Sequence, residues 1–209
     1  MKYLPFQKKN KKLKTMENKT TNKWMDTYYE KLVKCGISEE SVAILKERYG
    51  EAINNASFST KNEAGLAYDG SLIETALTKL AVYAVRINNL YPEDLRVDVN
   101  SIVRVALLSH ISKAVRTSKS KNDWRIKNLG ELYVYNQNMP AIGTGLHSVA
   151  MAMECGINLS ADEIEAMCIN DRANDDIQAK YYSGMLSSII KQANEMLYVE
   201  ANKKNGLIN

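Results

Sequence analysis

Between Ser71 and Asn88, apolar residues recur at intervals of three and four: Leu72, Ile73, Ala76, Leu77, Leu80, Ala81 and Ala84. This spacing lays them along one face of an α-helix. It does not suit a strand, whose side chains change face at every residue. The pattern returns in Val99–Ala114, through Ile102, Val103, Ala106, Leu107 and Ile111. It returns again in Tyr181–Ala201, through Leu186, Ile189, Ile190, Ala193, Met196 and Leu197. Helices with an apolar stripe must bury it against one another, so the expected fold class is all-α. With only 3 Pro and 10 Gly in 209 residues, little in the chain interrupts such helices.

The shorter elements follow from their end signals. Trp24 to Tyr49 reads as one or two helices, with Ser38 as N-cap, Glu39 and Glu40 in the first turn and Gly50 as the stop. Tyr28 and Tyr29 are expected to pack in the core. Asn54 to Gly70 reads as a loop, and Pro92-Glu93-Asp94 as a turn. Val115 to Pro140 is irregular. Within it, Glu131-Leu132-Tyr133-Val134-Tyr135 alternates like a strand and predicts a short β-hairpin near 131–142. Gly143-Thr144-Gly145 opens a helix over Leu146–Cys155, which Gly156 ends. Two glycines one apart do not make a phosphate cradle without a preceding strand. Ser160 and Glu163 form a capping box at the start of Ile164–Asn170. Met151, Met153 and the methionines of the last helix read as core filler.

Charge divides the chain. Residues 1–23 hold eight Lys and one Glu, a net +7, against +4 for the whole. The remainder is therefore at −3. The expected organisation is a basic N-terminal arm over 1–23, one helical domain over 24–201 and a tail over 202–209. In the arm, Lys8, Lys9, Lys11, Lys12 and Lys14 suit contact with nucleic acid or an acidic neighbour; the alternative is a solvated tail. Met16-Glu17-Asn18-Lys19 itself reads like a start, which would make 1–15 an upstream extension. No apolar run approaches the roughly 20 residues that span a bilayer, and the N-terminus lacks the apolar stretch of a secretory signal. Cys35, Cys155 and Cys168 are far apart and odd in number, which fits buried thiols in a reducing compartment.

Five short motifs in order carry a resemblance. They are Gly70-Ser71-Leu72-Ile73-Glu74-Thr75-Ala76-Leu77, Leu107-Leu108-Ser109-His110-Ile111-Ser112-Lys113 and Gly143-Thr144-Gly145-Leu146-His147-Ser148, followed by Ala166-Met167-Cys168-Ile169-Asn170 and Ile189-Ile190-Lys191-Gln192-Ala193-Asn194. Over residues 52–200 the chain resembles the HD-domain phosphohydrolases, in particular the small helical type common in gut bacteria and their phages. In that family His and Asp side chains hold a divalent metal that generates a hydroxide for attack on a phosphate ester. The resemblance places Thr75, Ser109, His110, Thr144, Asn170 and Asn194 at the ligand positions. All but His110 are neutral hydroxyls or amides, and a divalent ion needs several anionic or imidazole donors. The expectation is a frame that has lost its metal and its chemistry, with no cofactor.

Other groups read more plainly. His110 is expected to be a partly buried, satisfied histidine, and Ser109 beside it forms no dyad because neighbours on a helix diverge. His147 is expected on an outward, solvated face. Asp171, Asp175 and Asp176 read as surface acids and caps. Three functions stay open. The first is a non-enzymatic structural or adaptor protein. Its expected form is a phage virion part such as a head–tail connector or neck ring, working as a homo-oligomer with other assembly proteins in the virion or host cytoplasm. The second is a nucleotide or nucleic-acid binder, with Lys113, Arg116, Lys119, Lys121 and Arg125 meeting phosphates and a host signalling nucleotide as one target. The third is a residual metal-dependent phosphohydrolase.

Overall fold

The computed structural model describes residues 24–62, 65–169 and 183–206. The described chain is mostly helical. Helix α1 covers 24–34, and α2 is Glu39–Asn55. A rod follows in three parts: α3 (Ser71–Thr75), a π-helical turn (Ala76–Leu80) and α4 (Ala81–Leu90). After a 3-10 turn at Glu93–Leu95 come α5 (Val99–Leu108) and the short α6 (Lys113–Arg116). Strand β1 (Thr117–Lys119), α7 (Asp123–Leu129) and β2 (Tyr133–Tyr135) form an excursion. Helices α8 (Thr144–Glu154), α9 (Ala161–Cys168) and α10 (Met185–Lys204) complete the body. None of the described helices is long and apolar enough to cross a membrane.

The core lies where α10 packs on α4 and α9, with α5 against α4 and α9. Leu80, Ala84, Ile102, Leu108, Met167, Ile189, Ile190 and Leu197 are buried there. The three apolar stripes legible in the sequence are the faces that meet. Tyr28 and Tyr29 pack as expected, edge to face at 5.4 Å. The Tyr28 hydroxyl donates to the Leu107 carbonyl at 3.1 Å, near the end of α5, where helical carbonyls lose their own partners. The Ser38 cap and the Ser160–Glu163 capping box both form.

Several expected boundaries move. Gly50 does not stop α2, which runs on to Asn55. Its backbone stays helical, and Tyr29 Oη lies 3.3 Å from where a Cβ would stand, so the glycine makes room for a neighbour. The helix expected over Val99–Ala114 ends at Leu108. Helix α10 extends past residue 201 to Lys204, into the expected tail. Residues 181 and 182, expected to begin it, lie outside the described residues. Helix α7 occupies part of the irregular stretch, between an Asn122 cap and a left-handed Gly130. The strand at 133–135 forms, but the hairpin within 131–142 does not. Its partner is β1, antiparallel, pairing Thr117 with Tyr135 and Lys119 with Tyr133. Met151 and Met167 are core, whereas Met153 and Met196 face solvent. The three cysteines are free; Cys35 and Cys155 are buried and Cys168 half-buried.

Two polar clamps fix the helix ends. Asn88 on α4 donates to the Val97 carbonyl at 3.0 Å and accepts from its N–H at 2.9 Å, closing the turn before α5. Arg104 on α5 reaches Glu163 on α9 through Nε at 2.8 Å and Nη2 at 2.5 Å, and donates to the Cys35 carbonyl at 3.0 Å. The Glu163 side chain is almost wholly buried.

Candidate functional site

The site begins where α5 fails to continue. The Ser112 N–H leaves the helical ladder for Ser148 Oγ on α8 at 3.1 Å, and the Ser112 hydroxyl donates to the Thr144 carbonyl at 2.8 Å. The Ser148 hydroxyl donates to that same carbonyl at 2.8 Å. With its ladder diverted, the backbone tightens to three-residue bonds, Ile111 to Leu108 and Lys113 to His110. The resulting turn presents Ser109, His110 and Lys113 to a cavity of about 560 Å³ between α8 and α10. Thr144 and Gly145 line it from α8 and Asn194 from α10, while Tyr135, Tyr198 and Val199 stand more exposed around it.

Four of the six expected ligand positions therefore line one cavity: Ser109, His110, Thr144 and Asn194. Thr75 is buried at the start of the π-helical turn and is not among the lining residues. That turn interrupts a stretch read from the sequence as continuous α-helix. Its widened loop is closed by the Ala81 N–H reaching the Ala76 carbonyl. Asn170 lies outside the described residues, as do Asp171, Asp175, Asp176 and the arm lysines Lys8, Lys9, Lys11, Lys12 and Lys14.

Several of the lining side chains are already engaged. Ser109 Oγ donates to the Val105 carbonyl. Asn194 Nδ2 donates to the Ile190 carbonyl at 3.2 Å, which turns Oδ1 toward His110 Nε2 at 3.4 Å. That geometry assigns the proton to Nε2. Nδ1 is then a bare acceptor, and it is inaccessible and without a hydrogen-bond partner among the described residues. His110 is thus only half satisfied, contrary to the expectation. Its ring meets Phe58 edge to face at 5.0 Å. Burial, with the Lys113 ammonium nearby, pushes its pKa down to about 3 against the Asn194 contact, so the imidazole is neutral. Lys113 Nζ donates to the Phe58 carbonyl at 2.6 Å and lies 4.2 Å from the centre of that ring.

No family model matches this chain. No curated protein and no solved structure matches it either. The chemistry of the site therefore has to be read from its own donors. Serine and threonine hydroxyls and an asparagine amide are weak ligands, and a single imidazole does not hold a divalent ion among them. Among the described residues, the one carboxylate lining the cavity, Glu195, is on the exposed side of α10. Among the described residues, no three His, Cys, Asp or Glu side chains come together. The donor set does not fit the metal that the HD resemblance implies.

The five expected phosphate contacts do not share a pocket. Only Lys113 lines the cavity; Lys121 and Arg125 line a groove beside α7, and Lys119 a third depression. Arg116 reaches the Pro140 carbonyl at 3.5 Å and His147 Nδ1 at 3.4 Å. His147 is consequently half-buried rather than solvated, and burial and the Arg116 charge lower its pKa. Lys119 pairs with Asp69 at 2.5 Å, and Arg125 with Glu131 at 3.3 Å. Asp69 also accepts from the Tyr133 hydroxyl at 2.6 Å, which ties the ribbon to the loop before α3. Sequence reasoning missed Phe58, whose ring and carbonyl organise His110 and Lys113. Its only signal was an aromatic within a polar loop.

Proposed function

We propose that the chain is a non-enzymatic structural or adaptor protein on an HD-like helical frame whose ion-holding positions have become hydroxyls and an amide. The observation that carries this reading is the convergence of Ser109, His110, Thr144 and Asn194 on one cavity with no anionic side chain among them. Among the described residues, no set of ligands there would lower the pKa of a water, and the neutral His110 has neither an orienting carboxylate nor a nucleophile aimed at it. Tyr135, Tyr198 and Val199 at the cavity, 58%, 39% and 55% exposed, form an apolar edge suited to a protein neighbour. With the resemblance to phage-borne relatives of the HD type, this favours a virion component such as a head–tail connector or neck ring, working as a homo-oligomer.

The test combines metal content, turnover and assembly state of the purified full chain. The expected results are less than one equivalent of transition metal, no chelator-sensitive hydrolysis of phosphodiesters or nucleotides, and self-association. A tightly held metal with hydrolysis that chelation abolishes would replace this reading with that of a working phosphohydrolase. A strict monomer absent from particle fractions would end the virion assignment.

A further inference from the structure

Tyr135 also lines a second, larger concavity, an open groove of about 1140 Å³ between the loop at Thr60–Lys61, helix α7 and strand β2. Trp124 and Tyr135 line it and are 62% and 58% exposed. Each ring leaves a flat apolar face in water. Lys61, Lys121 and Arg125 line the same groove. Residues 113–127 carry six basic side chains and one acidic one, in a body that is otherwise net acidic. Of these six, Lys121 and Arg125 line the groove, and with Lys61 they place three cations beside the exposed aromatic faces. Two carboxylates also line the groove, and one of them, Glu131, is already held by Arg125.

We propose that this groove binds single-stranded nucleic acid, with Trp124 and Tyr135 stacking on unpaired bases and Lys61, Lys121 and Arg125 meeting the phosphates. Aromatic faces on an open basic track suit a single strand, because every unpaired base offers a π-face whatever its sequence. A duplex keeps its bases stacked and would engage only the cations. The groove shares Tyr135 with the cavity, whereas Trp124, Lys61, Lys121 and Arg125 line the groove and not the cavity.

The experiment measures anisotropy of a labelled oligothymidylate of about 20 nucleotides, a matching oligouridylate and a duplex, with the full chain at about 50 and about 200 mM salt. Both single strands are expected to bind more tightly than the duplex. Trp124→Ala and Tyr135→Ala are each expected to weaken single-strand binding roughly tenfold without changing its salt dependence. Lys121→Gln and Arg125→Gln are each expected to flatten the salt slope by about one. Circular dichroism checks the fold of each variant. If Tyr135→Ala unfolds the ribbon, Trp124→Ala on the outer helix carries the test. Affinity unchanged in Trp124→Ala would assign binding to the basic arm and overturn the proposal. So would duplex binding equal to single-strand binding, or no binding at the lower salt.

Discussion

At position 110 the imidazole is locked neutral, with Nε2 facing Asn194 and Nδ1 sealed from solvent without a partner among the described residues. Its pKa of about 3 lies below the ordinary value of 6.5. Between these values the unfolded chain takes up a proton that the folded chain refuses. The stability held above the ordinary histidine pKa is therefore lost as pH falls toward the folded value, at no more than about 1.4 kcal/mol per pH unit. Urea unfolding between about pH 7 and pH 5, where few carboxylates titrate, should show this slope in the wild type and a flatter one in His110→Gln. Identical slopes would mean that water reaches the ring. Arg104 presents the opposite case: half-buried itself, it pairs with the buried Glu163 carboxylate. Arg104→Met leaves the Glu163 carboxylate buried and unpaired, with an expected loss of about 3 kcal/mol or more in urea unfolding. Adding Glu163→Gln should restore part of it. An additive loss would show that the two side chains act separately.

At the scale of elements, the diversions matter more than the helices. Helix α5 stops at Leu108 because Ser112 hydrogen-bonds to α8, and that stop is what turns His110 and Lys113 into the cavity. No residue between 109 and 112 is a helix breaker by itself, so the stop was invisible along the chain. Gly50, an apparent stop, lies inside a helix that runs on, and its missing side chain leaves room for Tyr29. The turn between α4 and α5 depends on Asn88, whose amide closes both sides of the Val97 peptide. Asn88→Ala would leave two backbone groups without these partners. It should cost roughly 2 kcal/mol and raise amide exchange at Val97 before the rest of the body opens. Exchange rising evenly through the whole body would show that the clamp is global rather than local.

For the whole molecule, the proposed HD-like frame makes a constructive prediction. If α5, α8 and α10 still bring the ligand positions together, the variant Ser109→His/His110→Asp/Thr144→His/Asn194→Asp should take up about one equivalent of cobalt or manganese that the wild type does not. Absorption and calorimetry would report it, with circular dichroism to check folding. A folded variant that ignores both metals would count against the frame and leave the non-enzymatic reading standing on the donors alone. Much of the candidate site was legible in the sequence: Ser109, His110, Thr144 and Asn194 were singled out together and line one cavity. The basic set was not. Lys113, Arg116, Lys119, Lys121 and Arg125 look continuous along the chain, but a turn, a ribbon and a helix cap carry them to different neighbours.

Periodicity and capping are local, and the chain alone determined them. The apolar stripes of α4, α5 and α10, the Ser38 cap and the Ser160–Glu163 box depend on residues a turn or two apart. Partners distant in sequence decided the rest. Phe58 under His110, Asp69 between Lys119 and Tyr133, Arg104 on Glu163 and β1 opposite β2 each join segments whose meeting no local pattern encodes. Side-chain hydrogen bonds that outcompete the helical ladder act across that distance, so only the packed molecule could show where α5 ends and what its last turn faces.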